Sequence, residues 1–581
     1  MNFQELLDHL IHDTLRVSLP GFMPELVLCA TIVLMLLARL PAFGRRINTV
    51  WIALPGCLAA LYFAAPWRLL PGLRESADFT APIFTGMLVY DELTVFFRSL
   101  LLVFACLFLV FTRISGIPDR EDSPDFYTLV LGGIVGMCLM ASANHMVMVF
   151  LGVEMASVPS YALAGMLKGR RQSSEAALKY VVYGAGTAGV MLYGISLLAG
   201  ALGSVHMPTM AMQLATLPAE ALAERQTVLL MGGLMVMVGV AFKLSAVPFH
   251  FWCPDVFEGA SAEVNAFLSV ASKAAALALL ARLALGFGFV GEPRTAQAPT
   301  AHSAAYRALE KRPLVVPQAR DALPGRDAPD SDAPDSNVPD SGASPQNAVE
   351  RLAPVRRFLV GLIGLLAAVT CTFGNLAAYN QTNMKRLLAY STIAHAGYLM
   401  MPVAAAVALI GKDIELAEEA IASLAFYAGV YVFMNLGAFA IVAFLRNTIR
   451  SEEIADYGGL IHRSPGVAVA LSLILFSLIG LPPLAGFPAK LIAFAYLVPS
   501  GLLSLLVIGG LNTALSLFYY LRVVKVMTLD PEPAGRLPAS FSMWSPAGIY
   551  VAMITLPVIV LGVSFEPLNR WARLAADHLL S

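Results

Sequence analysis

The sequence predicts an all-α polytopic membrane protein, and three observations carry that reading. Apolar residues make up 58% of the 581-residue chain and charged ones only 13%, against roughly 25% charged in soluble domains. The mean hydropathy is +0.72. Apolar runs long enough to cross a bilayer recur along the chain, about fourteen of them at roughly 20 residues each. The net charge of −1 offers no basic surface to a nucleic acid, so the expected surroundings are the lipid bilayer and other membrane proteins.

The candidate spans centre near Val33, Ala59, Phe104, Leu131, Val153, Val190, Met235, Ala275, Leu365, Leu399, Val432, Leu475, Leu511 and Met553. The N-terminus opens on acidic and neutral residues before its first apolar run, Leu26–Ala38. It lacks the basic region and cleavage site of a signal peptide, so the first helix is expected to stay. The first three spans occupy 1–125. Residues 126–290 hold the next five and 356–528 another five, and 529–581 form a loop and a last helix. Between the two central blocks lies an insertion, 291–355, containing DALPGRDAPDSDAPDSNVPDSGASPQ. Such an Asp/Pro/Ser repeat cannot bury enough apolar surface to offset its ordering entropy. It is expected to be a disordered, tolerated insertion on the non-cytoplasmic side.

Orientation follows from basic residues in the short loops. Arg45 and Arg46, then Lys168, Arg170 and Arg171, then Lys385 and Arg386, then Arg446, Arg450 and Arg463, then Arg522, Lys525 and Arg536 fall in alternate loops. The intervening loops Ala141–His145 and Val498–Gly501 carry no Lys or Arg. The basic side is expected to face the cytoplasm. With an even number of spans, both termini then face the periplasm.

The two central blocks look like repeats. The seventh span runs into AFKLSAVPFHFWCPDVF, where Lys243 is followed by Pro248, His250, Trp252 and Asp255. The twelfth, SLILFSLIGLPPLAGFPAKLIAF, carries Pro482, Pro483 and Pro488 before Lys490. Proline removes an intrahelical hydrogen bond, so each helix is expected to break beside its lysine. The odd offset between these spans inverts the second unit relative to the first. Paired interrupted segments of this kind point to a transport site. For the seventh span alone, a lysine snorkelling beside an ordinary kink is the competing reading. ALKYVVYGAGTAGVMLYG and SLAFYAGVYVFMNLGAF are a weaker echo, for which chance likeness is an alternative.

Ionisable residues inside apolar spans mark functional pathways by default. Glu154 lies about 21 Å of helix from Lys168, the next charge toward the basic loop. Lys273 is about three turns from Glu263, and Lys490 has only apolar and small neighbours. Lys179 lies about two turns from the basic loop, so an interfacial lysine is an equal alternative for it. Glu175, one turn earlier, could pair with it. His395 is as compatible with a packing role as with a proton carrier. Taken together, Glu154, Lys179, Lys243, Lys273 and Lys490 argue for proton transfer along a line of titratable groups. A Glu–Lys pair that can be made or broken takes up and releases protons.

No cofactor-binding motif accompanies them. The six cysteines lie in or beside apolar runs without CxxC or Cys/His spacing, which argues against metal, iron–sulfur and disulfide roles. No P-loop or dinucleotide fingerprint is present.

AFKLSAVPFHFWCPDVFEGA, ASKAAALALLARL, NMKRLLAYSTIAHAGYLM and GLPPLAGFPAKLIAF resemble the antiporter-like membrane subunits of respiratory complex I, over roughly 91–527. Within that family they are similar to the subunit N branch of bacterial NADH:quinone oxidoreductase, equivalent to mitochondrial subunit 2. The lysines of the eighth and twelfth spans favour that branch over its sister M. The resemblance implies about 14 helices in which two inverted five-helix repeats each hold a broken helix. It implies that Glu154 pairs with Lys243, that Lys179 lies near that pair, and that Lys273 connects it to Lys490 at the exit. His250 and Pro248 match the family's pattern at the broken helix, and His395 and Lys385 match its tenth-span motif. The implied role is proton translocation in the bacterial inner membrane. Neighbouring antiporter-like subunits are the implied partners. The resemblance also implies that NAD, flavin, iron–sulfur clusters and quinone are held by other subunits and none by this chain. Rival readings are a subunit of a multi-subunit cation/proton antiporter, a hydrogenase-type membrane complex, or a stand-alone transporter. The Asp/Pro insertion departs from the family's usual pattern.

Overall fold

Apolar segments that have no water to bond their backbone fold as helices, because every N–H and C=O is then satisfied within the segment. The computed structural model of the chain describes residues 4, 11–40, 48–65, 67, 80–119, 121–167, 169–290, 350–538 and 542–580. Each expected span centre lies in a helix. Among the described residues, eleven helices are long and apolar enough to cross a membrane. The number is twelve if the bent pair Asp13–Gly21 and Met23–Ala38 counts as one span. The count falls short of the expected one for a physical reason. Val50–Ala64 has only 15 residues, and the segment around Leu475 is divided into two pieces, Pro465–Ile479 and Gly486–Ala495. The body of the insertion, 291–349, lies outside the described residues, as do Arg45, Arg46 and Lys168.

The helices that position the site are α1 (Glu92–Ser115), α2 (Met146–Ala164), α3 (Arg171–Leu202) and α4 (Ala219–Leu244). They continue with α5 (Trp252–Gly259), α6 (Ala262–Ser269), α7 (Ala271–Gly288), α8 (Ala353–Ala378), α9 (Met384–Leu409), α10 (Ile414–Ile449), α11 (Pro465–Ile479) and α12 (Gly486–Ala495).

The expected break beside Lys243 is present. α4 ends at Leu244, and Ser245 adopts the left-handed conformation at φ +57°. The Ser245 N–H turns back onto the Phe242 carbonyl at 2.9 Å and the Ala246 N–H onto the Ala241 carbonyl at 2.8 Å, and partners beyond α4 satisfy the rest. The Val247 N–H donates to Thr370 Oγ1 of α8 at 3.0 Å. The Trp252 indole N–H reaches back to the Phe242 carbonyl at 3.0 Å, and its ring stacks on Tyr180 at 4.3 Å. The second break separates α11 from α12. Gly480 sits at φ +94°, where a side chain would be strained, and a Cβ there would meet Lys490 Cδ at 3.1 Å. The Gly486 N–H donates to Ser477 Oγ at 2.9 Å across the break.

Some features were not foreseen. The eighth span is interrupted at Val270, between α6 and α7, and is enclosed by other helices throughout its length. Two short strands, Ala81–Ile83 and Leu88–Tyr90, form an antiparallel hairpin. A last helix, α13 (Glu566–Ala576), lays a buried face against α1 and α10, with Trp571 4.4 Å from the Phe96 ring. Two buried ion pairs tie the first helices to the rest. Arg98 Nε lies 2.6 Å from Glu25 Oε1, and Arg282 of α7 forks onto both oxygens of Asp91.

Candidate functional site: three buried lysines on neutral oxygens

Lys243 occupies the last turn of α4 and is 2% exposed. Its ammonium donates to Ser157 Oγ of α2 at 3.0 Å. Ser157 lies one turn beyond Glu154 on the same helix, so the ammonium stands close to the expected acid. The two do not come within ion-pair distance. Glu154 is half-buried between exposed Met155 and neighbours that point inward, whereas Ser157 is buried and faces α4.

Lys273 lies in the first turn of α7, just past the interruption at Val270, and is also 2% exposed. Its Nζ donates to the Thr392 carbonyl of α9 at 3.1 Å. Lys490 follows the second break and donates to the Ile479 carbonyl, at the C-terminal end of α11, at 2.9 Å. That helix end carries the negative pole of its dipole, which favours a cation. The ammonium also sits 4.6 Å above the Tyr398 ring.

Helix α9 links the second and third lysines. Thr392, His395 and Tyr398 recur at a spacing of three, so they lie along one side of the helix. His395 Nδ1 and the Tyr427 hydroxyl share a hydrogen bond at 2.9 Å, and the imidazole is 5.7 Å from the Tyr398 ring and 5.2 Å from that of Tyr431. Tyr398 OH accepts from Asn375 Nδ2 at 2.9 Å. His395 is therefore part of a buried polar seam running between the residues that hold Lys273 and Lys490.

Among the described residues, none of these lysines has a carboxylate within ion-pair distance. Each ammonium rests on neutral oxygen, so a proton can leave without the loss of a direct ion pair. Other charges behave differently. Lys179, with its side chain 37% exposed, pairs with Asp255 at 2.7 Å and Glu175 at 3.0 Å. Arg386 joins that cluster at Asp255 and Glu258. Lys179 is thus drawn into a partly exposed charge network with Asp255, Glu175 and Arg386. Lys385 is buried against Glu452 at 2.8 Å and donates to the Ala260 carbonyl at 2.8 Å. His250 is half-buried, 4.3 Å from the Phe373 ring, and its Nδ1 has no hydrogen-bond partner among the described residues. Pro248 sits in the break itself.

Reading the sequence had not singled out Ser157, Thr392, Tyr398 or the Ile479 carbonyl. Ser157 could have been found from its spacing to Glu154. A main-chain carbonyl at a helix end carries no side-chain signal. No group of three or more His, Cys, Asp or Glu side chains among the described residues is arranged to hold a metal.

The chain matches the family described as NADH:quinone oxidoreductase/Mrp antiporter, transmembrane, over residues 143–296 and 349–516. It is 35% identical to an NADH-quinone oxidoreductase subunit N of Anaeromyxobacter sp. over 583 aligned positions, covering 97% of each chain. It is 33% identical to a subunit N of Chlorobium chlorochromatii, covering 97% of this chain and 96% of that one. A chain of respiratory complex I from Thermus thermophilus aligns at a TM-score of 0.65 and 26% identity, covering 94% of this chain and 98% of that chain. A chain of the Mrp complex from Dietzia sp. aligns at 0.73 but only 16% identity, a likeness of fold alone. The protein accordingly belongs to the NADH:quinone oxidoreductase/Mrp antiporter family of membrane subunits.

Proposed function

We propose that this chain is a proton-translocating membrane subunit of an NADH:quinone oxidoreductase, of the subunit N type. The observation that carries the reading is the set of buried lysines held on neutral oxygens, with α9 joining Lys273 to Lys490. Relatives named as subunit N across nearly the full length support the choice of complex. Electrons pass from NADH to quinone in other subunits, which hold the NAD, flavin, iron–sulfur and quinone groups. This chain takes part by moving protons, beside other membrane subunits of the complex. The multi-subunit antiporter reading rests on a family that spans both kinds of complex and, for the solved Mrp complex, on a likeness of fold alone.

In mechanism, a change at the neighbouring subunit moves Glu154 relative to Lys243. A closer carboxylate holds the ammonium ionised, and a more distant one leaves it on Ser157, from which the proton departs. Charge at Lys243 then governs the protonation of Lys273, and the seam through His395 passes the proton to Lys490. Lys179, Lys385, His250 and Pro248 support the path by fixing the helix ends around the break.

The organisation belongs to the same proposal. Fourteen helices comprise three at the N-terminus (1–125), two inverted five-helix repeats (126–290 and 356–528) and a last one (529–581), with the insertion at 291–355 between the repeats. The broken helices beside Lys243 and Lys490 support the repeat. A bacterial inner membrane belongs to the same reading, and the basic loops, on the cytoplasmic side, would leave both termini periplasmic.

The test is quinone-coupled proton pumping in inverted membrane vesicles. Lys243→Ala and Glu154→Ala are each expected to impair it in an assembled complex. Undiminished pumping would remove the substituted residue from the path.

A further inference from the structure

A cavity of about 660 Å³ opens on the face of the basic loops, lined by Arg170, Asn383, Arg446, Arg450 and Glu452 among others. Arg446 reaches from its wall to Glu263 of α6, with Nη2 3.3 Å from Oε1. Glu263 is fully buried, and its second oxygen, Oε2, has no partner among the described residues. Beside it the buried pair Lys385–Glu452 likewise leaves Glu452 Oε1 unpartnered.

Two further buried oxygens have no partner among the described residues: Asn265 Oδ1, two residues along α6 and so on a different face of it from Glu263, and Asn435 Oδ1 of α10. Asn435 donates through Nδ2 to Thr392 Oγ1 at 3.4 Å, and the Thr392 carbonyl holds Lys273. The whole distance from Glu263 to Lys273 is about 15 Å along the helix axis. A buried oxygen without a partner forfeits its hydration and is costly unless water satisfies it. Internal water needs two or more polar partners, and buried oxygens such as Glu263 Oε2 and Asn435 Oδ1 are available to it. A purely structural ion pair with Arg446 accounts for Glu263 Oε1, but not for Oε2.

We propose that Glu263 accepts protons from the cavity and delivers them to Lys273 through water held at its inner end by Asn435. An O–H bond forms at Glu263 Oε2 as a hydronium ion in the cavity reverts to water. That bond then breaks, water relays the proton, and an N–H bond forms on the neutral Lys273 amine. Arg446 keeps its charge throughout and holds the carboxyl group in place. The proposal rests on the proton-translocating reading above and extends the path from its middle to the surface.

The experiment compares Glu263→Gln, Glu263→Asp, Arg446→Gln and Lys273→Ala in the whole complex in native membranes. Assembly is followed by NADH oxidation with an artificial acceptor, and pumping by the quenching of a pH-sensitive dye. Glu263→Gln is expected to assemble and to lose pumping by at least about tenfold. Glu263→Asp should retain it, and a small weak acid such as azide or formate should restore it in Glu263→Gln. Two results overturn the proposal and leave the reading in place. One is full pumping in Glu263→Gln while Lys273→Ala abolishes it. The other is equal loss of assembled complex in Glu263→Gln and Arg446→Gln, with no rescue by weak acid. Full pumping in both Glu263→Gln and Lys273→Ala overturns the path reading itself.

Discussion

The Lys243 ammonium is held by the Ser157 hydroxyl at 3.0 Å, one helical turn from Glu154. The serine keeps the lysine next to the carboxylate without joining the two. A charge placed this way responds to small movements of α2 against α4, because Coulomb energy at low dielectric changes steeply with distance.

Ser157→Ala leaves that ammonium without its acceptor, at a cost of about 1–3 kcal/mol. The lysine is then expected to turn toward Glu154 and close the pair. Quinone-coupled pumping should fall while quinone reduction persists, which simultaneous dye-quenching and NADH-oxidation traces would reveal. Wild-type coupling in this variant would show that the serine does not set the spacing.

Gly480→Ala places a side chain at φ +94° and 3.1 Å from Lys490 Cδ. The backbone strain alone is worth about 1–2 kcal/mol. The variant should unfold at a lower temperature and lose pumping, because the shifted break carries the Ile479 carbonyl away from Lys490. Gly510→Ala, where nothing lies within 4 Å of the new methyl, is the control.

Asp91 and Arg282 form a buried, bidentate pair that the Thr94 hydroxyl and Ala141 carbonyl complete. Asp91→Ala strands the guanidinium and should destabilise the protein by about 3–5 kcal/mol. The double variant Asp91→Ala, Arg282→Leu should recover much of that loss, since no charge is left buried. Thermal unfolding of the complex in detergent measures both.

His206 lies in the loop between α3 and α4, bridged to His145 and bonded through Nδ1 to Thr209 Oγ1 at 2.9 Å. Burial, and then the neighbouring His145, hold its imidazole below the ordinary value of 6.5. The folded loop therefore favours neutral imidazole, and the unfolded chain takes up protons first as pH falls. Local stability is full above about pH 6.5 and declines as pH drops through it toward the lower folded value. Hydrogen exchange at residues 143–147 and 204–209, corrected for intrinsic rate, should speed up between about pH 7.5 and pH 5.5. His206→Gln should flatten that dependence.

The breaks beside Lys243 and Lys490 were legible in the sequence because proline and glycine act locally, whatever surrounds them. The depth of Lys273 was legible because hydropathy is a property of a short window. The interruption at Val270 was not, since ASAEVNAFLSVASKAA contains no proline and the bend is imposed by the enclosing helices. Arg282, Glu25 and Arg98 stood in apolar runs and could have been noticed as buried charges. Their partners come from distant parts of the chain.

By itself, the sequence determined that the chain lives in a membrane, where its spans centre, which two of them break at proline and glycine, and which carry charge in apolar surroundings. Each of these depends on composition or on a neighbour a few residues away. Tertiary structure alone decided what each charge meets. It placed Lys243 on Ser157, paired Lys179 with Asp255, seated Lys490 on a helix end, and brought His395 between the residues that hold two lysines. Those contacts join helices far apart in sequence, and their energies depend on distances that only the packed bundle sets.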